Sequence, residues 1–298
     1  MERAIELVEA GFLHEARRQA LNQPRRRLQL ADSATLHYMA AVDTAAGYLG
    51  AKIYSTHPKT GAHFVVLLYA SDGRPLATIE ANALGQIRTG AATAVATRRL
   101  ARPDAAVVGM VGSGFQARTQ LEAVTKVRAI REARVFSRSA ENCRRFADEM
   151  SRALGISVTP ADSAAAAIQR CDIVITATTA RQPVLLGEWL APGAHLNAAG
   201  SNQARRRELD AAAVDRASLV VVDSIEQARV ECGDLIAAFD GRPEAWDRVL
   251  QLSELLAQEA PPGRQTAGDI TLFESQGVAL EDIAVAGYLY EQAVGERP

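Results

Sequence analysis

The sequence predicts an α/β protein, a helix with antiparallel sheet followed by a doubly wound parallel sheet, and three observations carry that expectation. From Ala105 onward short apolar strands alternate with helical stretches, the order that builds a parallel sheet with helical crossovers. Before that point apolar and polar residues alternate with period two in several runs, as in a half-buried antiparallel sheet. One strand-to-helix junction is also a glycine-rich turn, Val111-Gly112-Ser113-Gly114-Phe115-Gln116-Ala117.

Taken in order, Met1 to Ala20 sets Ile5, Leu7, Val8, Phe12, Leu13 and Ala16 near one helical stripe. At Gln23–Leu30 a proline and a basic cluster lead into strand. Ala51–Ser55, His63–Tyr69 and Pro75–Glu80 have strand character. Between the last two, Ser71-Asp72-Gly73-Arg74 predicts a hairpin, because Asp-Gly tolerates the positive φ of such turns. Ala91–Leu100 is alanine-rich and helical. Strand Ala106–Val111 then leads through the glycine turn into a helix over Gln116–Val127. Strand Ala133–Ser137 and helix Ala140–Leu154 follow. Further strands are expected at Ile156–Val158, Asp172–Ala177, His195–Ala199 and Ser218–Asp223, and a closing helix at Gln276–Gln292.

Composition narrows the classes. With 298 residues, 48% of them hydrophobic, the chain is long enough for one large or two moderate domains. A net charge of −2 predicts no affinity for nucleic acid or anionic membrane. The five histidines and three cysteines are scattered without ligand spacing, so no metal site is expected, and the odd cysteine count suits a reducing compartment. No apolar run approaches the roughly 20 residues that cross a bilayer. The charged start, Met1-Glu2-Arg3-Ala4-Ile5-Glu6-Leu7, does not read as a signal peptide, and a cytoplasmic address is expected.

The glycine turn matches GxGxxA between a strand and a helix, the phosphate-binding fingerprint of a Rossmann dinucleotide site. Gly112 allows the tight turn, Gly114 lets the backbone approach a pyrophosphate, and Ala117 is small enough for close helix–strand packing. Glycines also mark ordinary turns; here a second strand ends about 20 to 25 residues on, as the fingerprint requires. At that strand's end an acidic residue would favour NAD. The chain has Ser137-Arg138-Ser139 instead, where a guanidinium between hydroxyls suits a ribose 2′-phosphate. The other reading is a solvated Arg138 beside a helix-capping Ser139. NADP(H) is favoured, with NAD(H) as the open alternative.

The chain resembles the ornithine cyclodeaminase/mu-crystallin family along nearly its whole length. The matching stretches are Gln23-Pro24-Arg25-Arg26, Arg88-Thr89-Gly90-Ala91-Ala92, the Gly112 turn, Pro183–Asn197, Arg207-Glu208-Leu209-Asp210 and Gly277–Asp282. The resemblance implies a homodimer in which residues 1–92 plus 276–298 form an α+β substrate-binding and dimerisation domain. The Rossmann domain, 93–275, is inserted in it. It further implies that Arg26 and Arg88 hold a substrate carboxylate, that Lys52 is the active-site lysine, and that Thr89 and the Thr176-Ala177-Thr178-Thr179 strand end line the cofactor with Gly200.

Three departures shape the expected activity. Cyclodeaminases carry an aspartate where Gly200-Ser201-Asn202 places Asn202, and an amide cannot accept a proton as a carboxylate does. Glu274 and Gln276 replace residues that are usually basic and apolar. The chain also opens within what the family has as its first helix, so the family's opening strand is expected to be missing. The expected function is NADPH-dependent reduction of a small imino acid or cyclic ketimine, or the reverse amino-acid oxidation. Arg26 and Arg88 would clamp the carboxylate, Lys52 would bind substrate or supply a proton, and Asn202 would orient the imine nitrogen or the cofactor amide. The alternatives are a cyclodeaminase with bound NAD and a non-catalytic NADPH-dependent ligand-binding protein.

Overall fold

Strands in the first third of the chain alternate buried and exposed residues and pair antiparallel in sequence order. In the computed structural model, which describes residues 1–31, 33–258 and 264–295, helix α1 (Glu2–Ala16) leads into β1 (Ala20–Leu28), β2 (Thr35–Asp43), β3 (Tyr48–His57), β4 (Gly61–Ala70) and β5 (Pro75–Glu80). Each strand pairs with the next, and the Ser71–Arg74 hairpin turn joins β4 to β5 as expected. The period-two reading missed β2, where His37, Met39, Ala41 and Asp43 are buried and the residues between them are not. Helix α2 (Asn82–Leu100) begins nine residues before the expected Ala91, so Arg88-Thr89-Gly90 is helical.

The parallel sheet follows: β6 (Val107–Val111), α3 (Phe115–Thr125), β7 (Glu132–Phe136), α4 (Ala140–Leu154), β8 (Ser157–Pro160), α5 (Ala164–Ile168), β9 (Ile173–Thr176) and β10 (His195–Ala198). Beyond these lie α6 (Ala211–Arg216), β11 (Ala217–Val222), α7 (Ile225–Glu231), α8 (Gly233–Ala238), β12 (Val249–Gln251), α9 (Leu252–Ala257), β13 (Ile270–Glu274) and α10 (Ala279–Val294). The eight strands run in the order β12-β11-β13-β10-β9-β6-β7-β8 with every pair parallel. Apolar side chains alternate between its two faces. Ile173 and Ile175 join Met110, Leu121, Val124 and Phe146 in one core, while Val174 joins Leu196, Val214, Val220, Leu235 and Leu272 in the other. Each such side chain contributes on the order of 1.5–3 kcal/mol by leaving water.

The chain divides into two compact units. One holds Met1–Glu2 and Thr89–Gln276; the other holds Arg3–Arg88 and the chain from Gly277 on. In the second unit α10 packs across the antiparallel sheet. It starts three residues later than expected, because Gly277 has φ +74 and Val278 is extended. Among the described residues no helix is long and apolar enough to cross a membrane.

Candidate active site

In the parallel-sheet unit, β6 and β9 lie side by side, with β7 and β8 beyond β6 and β10 beyond β9. That is a topological switch point, and ligands of such sheets bind outside the carboxyl ends of the strands there. The glycine turn leaves β6 at this place. Gly112 has φ +114, and a Cβ on it would sit 2.3 Å from the Ala177 carbonyl oxygen, so a side chain would strain the turn and strike the end of β9. Gly114 caps α3 without a side-chain acceptor, and nothing lies within 4 Å of where its Cβ would be. The first amides of α3 therefore face an open approach at the positive end of the helix dipole. Ala117 is fully buried against the sheet, Ser113 and Gln116 are half-buried, and Phe115 is exposed. This backbone cradle fits the pyrophosphate of a dinucleotide.

At the end of β7, Arg138 is exposed and Ser137 half-buried. The Ser139 hydroxyl accepts from the Asn142 amide at 3.2 Å and caps α4, so it serves the helix. Past β9, Ala177 is buried, Thr178 half-buried and Thr179 exposed; Gly200 and the half-buried Asn202 follow β10, and Thr89 is buried on α2. The amides of Thr178 and Gly200 donate to one carboxylate, Glu208, at 2.7 and 2.8 Å.

The antiparallel unit gathers charge. Lys52, at the middle of β3, donates from Nζ to Asp282 Oδ1 at 2.7 Å, and Arg88 Nε reaches the same oxygen at 3.1 Å. Arg88 Nη1 also donates to Glu281 Oε2 at 2.7 Å. All four side chains are nearly or fully buried. Arg25, also buried, donates from Nη2 to the Gly277 carbonyl at 2.9 Å. The Gly277 position favours glycine: its φ is +74, and a Cβ would lie 2.4 Å from Arg88 Nη1. Phe64 places its ring 5.2 Å from Lys52 Nζ.

Three cations thus meet two carboxylates, an excess of positive charge that suits a carboxylate ligand. Asp282 Oδ2 is buried with no hydrogen-bond partner among the described residues, an acceptor suited to an N–H donor or water. Burial lowers the Lys52 pKa to about 8; Asp282 opposes that shift, and the positive charges of Arg88 and Arg25 add to it. Burial pushes Glu281 upward against the pull of Arg88. A lysine near 8 can both give and take a proton around neutral pH.

Of the expected residues, Lys52 and Arg88 meet on one carboxylate, and the Gly112 turn meets the end of β9 at Ala177. Arg26 does not join the cluster. A register shift between Gln23 and Arg26 leaves Arg26 paired with Tyr38 and Arg27 with His37. Tyr38 is exposed and His37 buried, so the α10-covered face receives Arg25 and Arg27 while Arg26 stands on the other. The residues that sequence reasoning left without a role are Arg25, Glu208, Glu281 and Asp282. Two adjacent acids in the first turn of a largely apolar helix were the available signal for the last pair.

The profile of the ornithine cyclodeaminase/mu-crystallin family matches residues 1–297. The chain is 38% identical to a Delta(1)-pyrroline-2-carboxylate reductase of Bacillus cereus, over 84% of this chain and 80% of that protein. Among solved structures it is similar to the Delta(1)-pyrroline-2-carboxylate reductase of Thermococcus litoralis in complex with NADH and L-proline. The TM-score is 0.92 at 36% identity, covering 98% of this chain and 93% of that one. An archaeal alanine dehydrogenase dimer with bound NAD superposes with a TM-score of 0.92 at 32% identity, covering 99% and 92%.

Proposed function

The chain belongs to the ornithine cyclodeaminase/mu-crystallin family, and from that premise we propose that it is an NAD(P)-dependent reductase of a small imino acid or cyclic ketimine, running in reverse as an amino-acid dehydrogenase. The buried Lys52–Asp282–Arg88 constellation carries this reading. It offers cations for a carboxylate, an acceptor for an N–H group and a proton donor, which are the needs of an imino acid.

Reduction adds a hydride to the imine carbon and a proton to the nitrogen, leaving an amine. Bound NAD(P)H supplies the hydride. Arg88 and Arg25 hold the substrate carboxylate and fix its orientation. Lys52, protonated over most of its population at pH 7, delivers the proton to nitrogen. Asp282 holds the Lys52 ammonium in place before transfer, and the neutral Lys52 left behind regains its proton from solvent before the next turnover. Burial of these groups excludes water and strengthens each charge interaction.

The Gly112–Ala117 turn would hold the cofactor pyrophosphate, and Thr89, Ala177, Thr178, Thr179, Gly200 and Asn202 its nicotinamide half. Ser137 and Arg138 would bind the adenine ribose, which favours NADPH over NADH. Leu21, Leu28, Leu36, Tyr38 and Val42 form an exposed apolar face on β1 and β2, the face that bears Arg26; a second copy of the chain covers it in our reading. Light scattering of the intact protein should then give a dimer mass.

The test of function is turnover of pyrroline and piperideine carboxylates with NADPH and with NADH, followed by nicotinamide absorbance. Oxidation of the cofactor that depends on the imino acid is expected. Ammonia release from a diamino acid with no net absorbance change would instead make the chain a cyclodeaminase.

A further inference from the structure

Between β9 and β10 the ladder ends with the Ala199 amide on the Thr176 carbonyl, 2.9 Å away. Beyond it the two chains need a new tie, and a side chain provides one. Glu208 is 1% exposed. Its Oε1 accepts from the Thr178 amide at 2.7 Å, and its Oε2 from the Gly200 amide at 2.8 Å and the Thr176 hydroxyl at 3.0 Å. One carboxylate therefore bridges both segments that leave the carboxyl ends of these strands. Gly200 makes room for it, since a Cβ there would lie 2.5 Å from each carboxylate oxygen.

Glu208 is itself held from behind. Its amide and that of Leu209 both donate to Asp234 Oδ1 at 2.8 Å, and its carbonyl accepts from the amides of Val184 and Leu185. Burial pushes the Glu208 carboxyl up, while hydrogen bonds from the side chain and amide of Thr178, the Thr176 hydroxyl and the Gly200 amide favour the ionised form. A buried carboxylate is costly unless hydrogen bonds compensate it, and the donors of Thr176, Thr178 and Gly200 do so here.

What those partners do follows from the sheet. The glycine turn and the end of β7 occupy the half of the switch point that takes the pyrophosphate and adenine ribose. The ends of β9 and β10 belong to the other half, which receives the second ribose and the nicotinamide. We propose that Glu208 is a positioning residue for the nicotinamide half of the cofactor, tying Thr178 and Gly200 at the separation that half requires. The proposal rests on the reading of this unit as a nicotinamide-cofactor site.

The experiment compares wild type and Glu208→Gln by calorimetry with two probes, NADPH and ADP bearing a phosphate on its 2′ oxygen. The second probe lacks the second ribose and the nicotinamide. Glutamine keeps the shape but turns an NH2 toward one of the amides. NADPH affinity should fall on the order of tenfold, the worth of one charge-assisted hydrogen bond, with the ADP probe unchanged. Equal loss of both probes would make Glu208 a residue of the fold alone, and no loss of either would remove its role; both outcomes overturn the proposal. If the variant does not fold, Thr176→Val removes one donor to the same carboxylate and should give the same split in weaker form. Wild type that binds neither NADPH nor NADH would instead overturn the cofactor reading itself.

Discussion

The two candidate functional regions are made of different material. The glycine turn of the parallel sheet offers backbone: positive φ at Gly112 and open space at Gly114, where α3 begins. The cluster of the antiparallel unit works through side chains brought together from far apart. Lys52 and Asp282 are 230 positions apart, and Arg88 and Glu281 are 193. A backbone cradle needs only small residues in one short segment, so it tolerates change elsewhere. A buried charge cluster depends on every member, because removing one leaves the others uncompensated.

That contrast is most sharply broken by removing Lys52 or Arg88. Lys52→Ala and Arg88→Ala should each lower kcat by about 10²–10⁴, the usual worth of a placed proton donor or carboxylate clamp. NADPH affinity, read by nicotinamide fluorescence, should stay at the wild-type value. Full turnover in either variant would take the chemistry out of the cluster.

A smaller change sharpens the electrostatics. Reduction uses the protonated Lys52, so kcat/KM for the imino acid should fall as pH rises through about 8, and the reverse oxidation should rise over the same window. Asp282 is the group that holds that pKa up. In Asp282→Asn that support is lost while burial and the positive charges of Arg88 and Arg25 still lower the pKa, and the fall should move to lower pH. An alkaline limb that stays in place in this variant would separate Asp282 from proton transfer.

The smallest effect belongs to the backbone region. Arg138→Ala leaves the cradle intact and removes one exposed guanidinium, so NADPH should bind about tenfold more weakly while NADH binding is unaltered. Equal affinity of the wild type for both cofactors would remove the role given to Arg138 and leave the pyrophosphate cradle untouched.

Much of the parallel sheet was legible because its signals are local. Helix α4 matches its expected limits, with Ser139 as cap and Gly155 in the left-handed region closing it. The strand–turn–helix around Gly112 needs only contiguous residues. Strand β13 was not legible. Ile270–Glu274 is buried on both faces, lies between β10 and β11, and shows neither period two nor a helical stripe. Arg26 and Arg25 illustrate the same limit at the site. Adjacent arginines look alike in sequence, and a register shift in β1 decided which one turned inward.

By itself the sequence determined the alternation of strands and helices, the glycine turn between β6 and α3, and the presence of Lys52 and Arg88. These follow from propensity, spacing and residue chemistry within short windows. Only the tertiary structure decided that Asp282 and Glu281 would face Lys52 and Arg88, and that Glu208 would bridge β9 and β10. Pairings across so many residues have no local energetic signature. They become favourable only when the folded chain has removed the charges from water and left them one another as partners.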